Sequence, residues 1–507
     1  MERINQKKAG IMITYLTMGL RVLISFVFTP FLLARVGDSQ YGVYSLSVSL
    51  ISFISLLDMG FSQTLVRYIA RARALDDKDE EARLNGFFLK LYIFIAVIAF
   101  VVGLALVFLY PLVSKKTMLD SELRLFKAVF LVLLADTVIA FPMCVFSANI
   151  NAYERFLFMK TVDLVTLIVK YLLMTLLLLI GRKVFAITLI TSILSIMVKI
   201  LNCLYCKKKI RICFSFKGYQ KEKEREIFLF SFFIFLNLII DFLYSSTDKL
   251  ILGAIKGTAA VTVYSFGVYF QSYFQELSTA MSGVFMPQVV YLYEHDRNLR
   301  EMSELFLKVG RLQMLLLFLA LSGYAVYGQD FIRLWIGEKY SDAFLIGLLV
   351  MTPALIPLTQ NIGISILRAM NLHKYRSYMY LAIAILNIVI SIPLAKKYSG
   401  IGAAVGTCIA CVLGQIIFMN VYYSRKIGLA IKHYWKNILV FSASTAPLVA
   451  AALFIKNFLP VVSWGGMVIH ILLYTGAYMI TIWCFVLNHY EKELVNNLID
   501  KVRRASK

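Results

Sequence analysis

Residues 87–110 read FFLKLYIFIAVIAFVVGLALVFLY, in which Lys90 is the single charge. A helix of that length rises about 36 Å, enough to cross a hydrocarbon layer about 30 Å thick. A soluble surface helix of this size would carry a polar stripe, and this one has none. The stretch therefore reads as a membrane span, surrounded by lipid. Similar runs lie near 9–34, 42–66, 125–148, 161–181, 184–206, 227–252 and 259–287. Others follow near 306–327, 344–366, 378–395, 401–423, 437–458 and 464–487, about fourteen in all by the length criterion. The whole chain agrees: 60% of its 507 residues are hydrophobic, 16% are charged, and mean hydropathy is +0.77. A soluble fold could not bury so much apolar surface, whereas lipid accepts it. The first run, Ala9 to Ala34, is too long for a signal-peptide core and lacks a small-residue cleavage site, so it counts as a span.

The formal charge of +23 raises the question of nucleic acid. Its distribution excludes that class, because the basic residues sit in short connections between apolar runs. With the N-terminus inside, about 35 basic residues fall on the cytoplasmic side against about 13 outside, so both termini are expected in the cytoplasm. The richest connection, KKKIRICFSFKGYQKEKERE at 207–226, reads as a solvated anchor on an anionic leaflet. Cys203, Cys206 and Cys213 resemble half a zinc site, but there is no second CxxC and no nearby histidine. No metal or cofactor is expected.

A shift of 220 residues lays Ala34–Leu57 over Ala254–Leu277. It matches Ala34/Ala254, Gly37/Gly257, Val43/Val263, Tyr44/Tyr264, Ser45/Ser265, Val48/Val268, Ser52/Ser272 and Leu57/Leu277. The offset of six spans keeps both halves in one orientation, which points to a parallel repeat. The expected organisation is an N-lobe at 1–206, the basic cytoplasmic loop at 207–226 and a C-lobe at 227–423. Two added spans at 424–487 and a cytoplasmic tail at 488–507 complete it.

Polar residues three or four apart share a helix face. Thr14, Thr17, Arg21, Ser25 and Thr29 make such a row in span one, and Ser45, Ser49, Ser52 and Ser55 in span two. Span seven carries Asn237, Asp241, Ser245 and Asp248; span eight carries Gln271, Gln275, Thr279 and Ser282, with Glu276 beside them. These four helices hold equivalent places in the two halves, so they are expected to line a water-filled cleft. The bland alternative is that the hydroxyls bond backbone carbonyls or join helices. A charge at mid-depth costs about 2.5–3.5 kcal/mol, so Arg21, Asp136, Lys170, Asp241 and Glu276, with Lys199 at a shallower level, are candidates for function. Arg21, Ser25, Ser52, Gln271, Gln275, Lys170 and Lys199 are assigned to an anionic substrate. Asp241, Glu276 and Asp248 are assigned to coupling or gating, with Glu276 carrying a proton and Asp241 competing for Arg21. A static Arg21–Asp241 pair that locks helices is the structural alternative. Lys170 and Lys199 have structural or snorkelling readings too.

RVGDSQYGVYSL at 35–46, LLDMGFSQTLVRYIA at 56–70, TDKLILGA at 247–254 and DFIRLWIGEKY at 330–340 resemble, in order and spacing, the Wzx-type polysaccharide flippases. Those belong to the multidrug, oligosaccharidyl-lipid and polysaccharide (MOP) exporter superfamily. The resemblance implies an all-α polytopic membrane protein with two pseudo-symmetric six-helix lobes plus two C-terminal helices, placed in a bacterial or archaeal cell (inner) membrane. It implies a cargo of undecaprenyl-pyrophosphate-linked oligosaccharide, moved from the cytoplasmic to the outer leaflet by alternating access. Membrane lipids, a coupling proton or sodium ion, and polysaccharide polymerase or assembly proteins are the other implied partners. Related flippases have a distinctly cationic cavity. Here Arg21 stands against Asp241, Asp248 and Glu276, and the cavity is cationic only if Lys170, Lys199 or Lys249 joins it. The rival functions are a multidrug exporter of the same superfamily, a lipid II flippase, and an integral-membrane glycan ligase or glycosyltransferase. No GxxxxGK[ST] nucleotide loop is present, and the chain is not expected to be an enzyme.

Overall fold

The structure, a computed structural model, describes residues 2–114, 117–218, 221–295, 299–370, 372–489 and 491–493. Among them every regular element is a helix. Backbone groups in hydrocarbon have no water to bond, so the chain satisfies them within helices. The helices are α1 Glu2–Val36, α2 Asp38–Ser55, α3 Phe61–Ala74, α4 Lys78–Ser114, α5 Asp120–Ala152, α6 Phe156–Leu179, α7 Val184–Tyr205, α8 Lys221–Ser245 and α9 Thr247–Ile255. They continue as α10 Thr258–His295, α11 Leu299–Ile336, α12 Asp342–Thr359, α13 Asn361–Ala369, α14 His373–Cys411, α15 Met419–Tyr422, α16 Ile431–Phe458 and α17 Trp464–Phe485.

Eleven stretches of the described residues are long and apolar enough to span a membrane. One of them, Tyr378–Ile427, takes in two expected spans, and the helix breaks between them at Ser399, where φ is 54°. The expected spans at 227–252 and 259–287 contain side chains outside the described set, so they do not enter that count.

Contacts divide the chain into two compact units, Met1–Thr262 and Val263–Lys507. The first therefore includes α8 and α9, which the repeat assigns to the second lobe. Polar bonds tie them there. Thr64 and Ser231 hydroxyls meet at 2.7 Å, Tyr68 donates to Glu226 at 2.8 Å, Lys223 pairs with Glu80, and Thr117 donates to the Gly253 carbonyl at 3.3 Å.

The core of the first unit is formed by α2, α3, α4 and α5 around Leu46, Phe61, Phe88, Tyr92, Phe126 and Phe130. This corrects the reading of span three. Phe88, Tyr92, Ile95 and Ala99 of α4 are buried in protein, while Phe94, Val97 and Val101 are exposed. Lipid therefore covers one face only. The sequence cannot distinguish the faces, because a protein core and a lipid tail are equally apolar.

The recognisable motifs build the joints between helices. Gly37 and its repeat partner Gly257 both have left-handed φ, 79° and 84°, and each precedes a new helix. Only glycine takes that conformation without strain. Within LLDMGFSQ, Met59 and Gly60 turn left-handed between α2 and α3. Asp58 receives the Gly60 and Ser62 backbone N–H groups and the Tyr92 hydroxyl, the last at 2.7 Å. It satisfies donors that the helix start would otherwise leave open. Glu122, buried at the start of α5, receives the hydroxyls of Ser39 and Thr258 and the Leu119 N–H.

The 207–218 segment is more than a solvated anchor. Its backbone runs along the start of α4: Ser215 N–H donates to the Ala82 carbonyl, Asn85 to that of Cys213, and Lys90 to that of Phe216. Gly86 permits this approach, since a Cβ there would stand 2.0 Å from the Ser215 carbonyl oxygen. Lys207, Lys208, Lys209, Arg211 and Lys217 remain exposed. Beside the strap, the Tyr153 hydroxyl donates to Glu81 at 2.8 Å, and burial with that bond pushes its phenol up to about 12.

In the second unit α11 holds α16 and α17. Near one end, Arg311 makes a two-pronged contact with Glu491 at 2.7 and 2.8 Å and also bonds Asn437 and the Val486 carbonyl. Near the other, Asp330 pairs with Lys456 at 2.5 Å and Arg333 at 3.3 Å. The nineteen residue steps from Arg311 to Asp330 rise about 28 Å, close to a bilayer's hydrocarbon thickness. The two charged clamps thus sit at opposite ends of an apolar stretch.

Candidate functional site

In the first unit α1 packs along α6, with the Phe28 and Tyr171 rings edge to face at 5.0 Å. Thr17 and Thr29 of α1 are buried, and each hydroxyl donates to the carbonyl four residues earlier, Ile13 and Ser25, at 2.7 Å. Arg21 lies between them in sequence and is exposed. Lys170, half-buried on α6 with its Nζ 5.9 Å from the Tyr171 ring centre, feels the positive charge of Arg21. The structure thus brings together two cations that stand 149 positions apart in the sequence. Among the described residues no carboxylate forms an ion pair with either. Two like charges held in a low-dielectric layer repel one another, and an anion between them removes the repulsion. On charge alone, two such cations favour a neighbouring anion over a cation.

Lys199, expected beside them, is engaged elsewhere. Its Nζ contacts Asp136 Oδ1 at 2.5 Å, Ser195 Oγ at 2.9 Å and the Asp136 carbonyl at 3.3 Å, tying α7 to α5. That also gives Asp136 its place. Burial leaves the two side chains only 17% and 20% exposed, so each supplies the other's counter-charge.

The hydroxyl stripe of span two turns to its own helix. Ser49 donates to the Ser45 carbonyl, Ser52 to that of Val48 and Ser55 to that of Ile51, at 2.9–3.0 Å. Ser45 and Ser49 are buried, and Ser25 and Ser52 are half-buried. Asp248 is buried at the start of α9, and Lys249 beside it is half-buried. The Asp241 side chain lies outside the described residues, so its pairing with Arg21 is not described.

In the second unit α10 carries Gln271 and Glu276 half-buried and Gln275 exposed; Thr279 donates back to the Gln275 carbonyl at 2.9 Å. The adjoining Ser278 faces inward instead. It donates to the Leu358 carbonyl at 2.7 Å and receives Gln313 and Asn361, which ties α10 to α11 and to the break between α12 and α13. Neither this hub nor the Asp58–Tyr92 bond was singled out from sequence. Both join residues distant along the chain, and only the Asp-Met-Gly turn carried a local signal.

The model for a family described as polysaccharide biosynthesis protein matches residues 32–345. The uncharacterized membrane protein EpsK of Bacillus subtilis (strain 168) is 22% identical over 508 residues, covering 96% of both chains. Among solved structures, the lipid II flippase MurJ in an inward closed conformation superposes with a TM-score of 0.71 at 15% identity, covering 96% of this chain and all of that one. An inward-facing multidrug resistance transporter of the MATE family gives 0.59 at 13% identity, over 81% of this chain and 96% of that one. A MOP superfamily transporter from Pyrococcus furiosus, described as having a binding pocket of reversed polarity, gives 0.55 at 12%, over 85% and 96%. These likenesses show the fold, a MurJ- and MATE-like helical membrane architecture.

Proposed function

Because the chain belongs to the polysaccharide biosynthesis protein family, we propose that it flips an undecaprenyl-pyrophosphate-linked oligosaccharide from the cytoplasmic to the outer leaflet by alternating access. The observation that carries this reading is the Arg21–Lys170 cation pair inside a membrane-spanning helix pair. A pyrophosphate and a hydrated glycan do not cross hydrocarbon unaided, since unpaired charge there is costly. Two cations at mid-depth lower that barrier for the phosphate charge, and the prenyl chain stays in an apolar environment throughout. No covalent chemistry is required. Both termini face the cytoplasm on this reading, following the excess of basic residues in the connections expected there. Glu276, half-buried on α10, is the proposed carrier of a coupling proton.

Replacing Arg21 by Glu tests the proposal. Surface polysaccharide should disappear and its lipid-linked precursor accumulate in the cytoplasmic leaflet, while protein level and melting temperature stay at wild type. Arg21→Lys should retain part of the export. Undiminished export by Arg21→Glu removes the pair from the mechanism.

The MurJ likeness over 96% of this chain makes lipid II, the cargo in that protein's description, the second cargo to weigh. Rescue of cells depleted of their lipid II flippase separates the two cargoes. The multidrug reading is disfavoured by the sign of the charge at Arg21 and Lys170, which repels cationic drugs.

A further inference from the structure

We propose that the open groove between α1 and α6 holds the polyprenyl tail of the lipid-linked substrate while Arg21 and Lys170 take its phosphate end. The inference rests on the flippase reading and adds the tail's place to it. The groove encloses about 800 Å³, within the range of sites that hold small molecules. It follows α1 from Leu23 to Phe31, about 12 Å, and α6 from Ile168 to Leu179, about 16 Å, so it is elongated along the helices. Its walls are branched or aromatic, with Leu23, Val27, Leu172 and Leu176 exposed and the Phe28–Tyr171 contact between the helices. Thr175, a hydroxyl in the lining, is already bonded to the Tyr171 carbonyl at 2.8 Å. The lining suits a methyl-branched hydrocarbon and offers little to a sugar.

Charge decides which hydrocarbon. Arg21 precedes Ile24 by three residues and Phe28 by seven, so it continues the row of the groove by one turn. Lys170 adjoins Tyr171, which lines it. Arg21 lies twelve residues after Ala9 and fifteen before Val36, about 18 and 22 Å of helix from each. A resident phospholipid keeps its phosphate at the membrane surface, far from that depth. A headgroup in transit passes it, trailing a chain that needs an apolar seat beside the cations. Moving a tail from lipid into the groove gains packing but no hydrophobic energy, so the expected preference is modest.

The test uses the full-length chain in detergent with two probes, undecaprenyl pyrophosphate and farnesyl pyrophosphate, bound under native mass spectrometry. Wild type should favour the longer chain by about tenfold. Val27→Trp and Leu172→Trp fill the groove from lipid-exposed positions and should bring that ratio to about one, with Leu176→Ala lowering it less. Arg21→Glu should weaken both probes together. An unchanged ratio in both Trp variants overturns the assignment, as does displacement of undecaprenyl pyrophosphate by phosphatidylglycerol at equal concentration. Wild-type protein that binds both probes without chain-length preference sinks the groove alone. Failure to bind either probe sinks the flippase reading itself.

Discussion

Substituting Lys199 by Met leaves Asp136 without its counter-charge on a membrane helix. The wild-type pair is 2.5 Å apart and only about one-fifth exposed, with Ser195 as a further partner. Removing one member of a buried pair costs about 3–5 kcal/mol, and an isolated Asp at a helix centre about 2.5–3.5. The residual exposure of both groups places this case at the low end, about 2–3 kcal/mol, since water reaches the orphaned carboxylate. That is a factor of about 30–150 in the folded-to-unfolded ratio. Melting followed by scanning fluorescence in detergent should show a clear drop for Lys199→Met. The double variant with Asp136→Leu should recover to within about 1 kcal/mol of wild type, because two packed apolar side chains replace the pair without a desolvation cost. If Lys199→Met melts like wild type, or the double variant melts as low as the single, the pair does not join α5 to α7 as described.

Gly86→Ala should push the 212–216 strap off α4, because the new methyl meets the Ser215 carbonyl. The expected cost is about 1–3 kcal/mol, with faster tryptic cleavage at Lys207–Arg211 as the readout. Glu491→Ala removes both prongs of the Arg311 contact and should cost about 2–3 kcal/mol, while Glu491→Gln keeps hydrogen bonds and costs less; melting temperatures rank the two. Tyr92→Phe leaves Asp58 one donor short, and a loss of about 1–3 kcal/mol is expected in the same assay. Glu276→Gln should make export insensitive to collapse of the proton gradient, and retained sensitivity excludes the coupling role.

The helical membrane class was legible before any coordinates. An apolar run of about 20 residues can satisfy its backbone in lipid only as a helix or in a closed barrel, and these runs lack the alternation of barrel strands. The matched glycines 37 and 257 were also legible in outline, because left-handed turns depend on local chemistry, whereas the break at Asp58 falls inside the run read as one span at 42–66. Tertiary structure alone decided which face of α4 packs, which lysine stands beside Arg21 and which is bound to Asp136, and that the basic segment lies along α4. The reason is the solvent. In water, polarity separates the inside of a protein from its outside; in a bilayer both are apolar, so composition along a helix says that it spans and not what it touches. Charges in the span do carry information, but their partners lie 63 residues away for Lys199 and Asp136 and 149 for Arg21 and Lys170, where only the packing of helices brings them together.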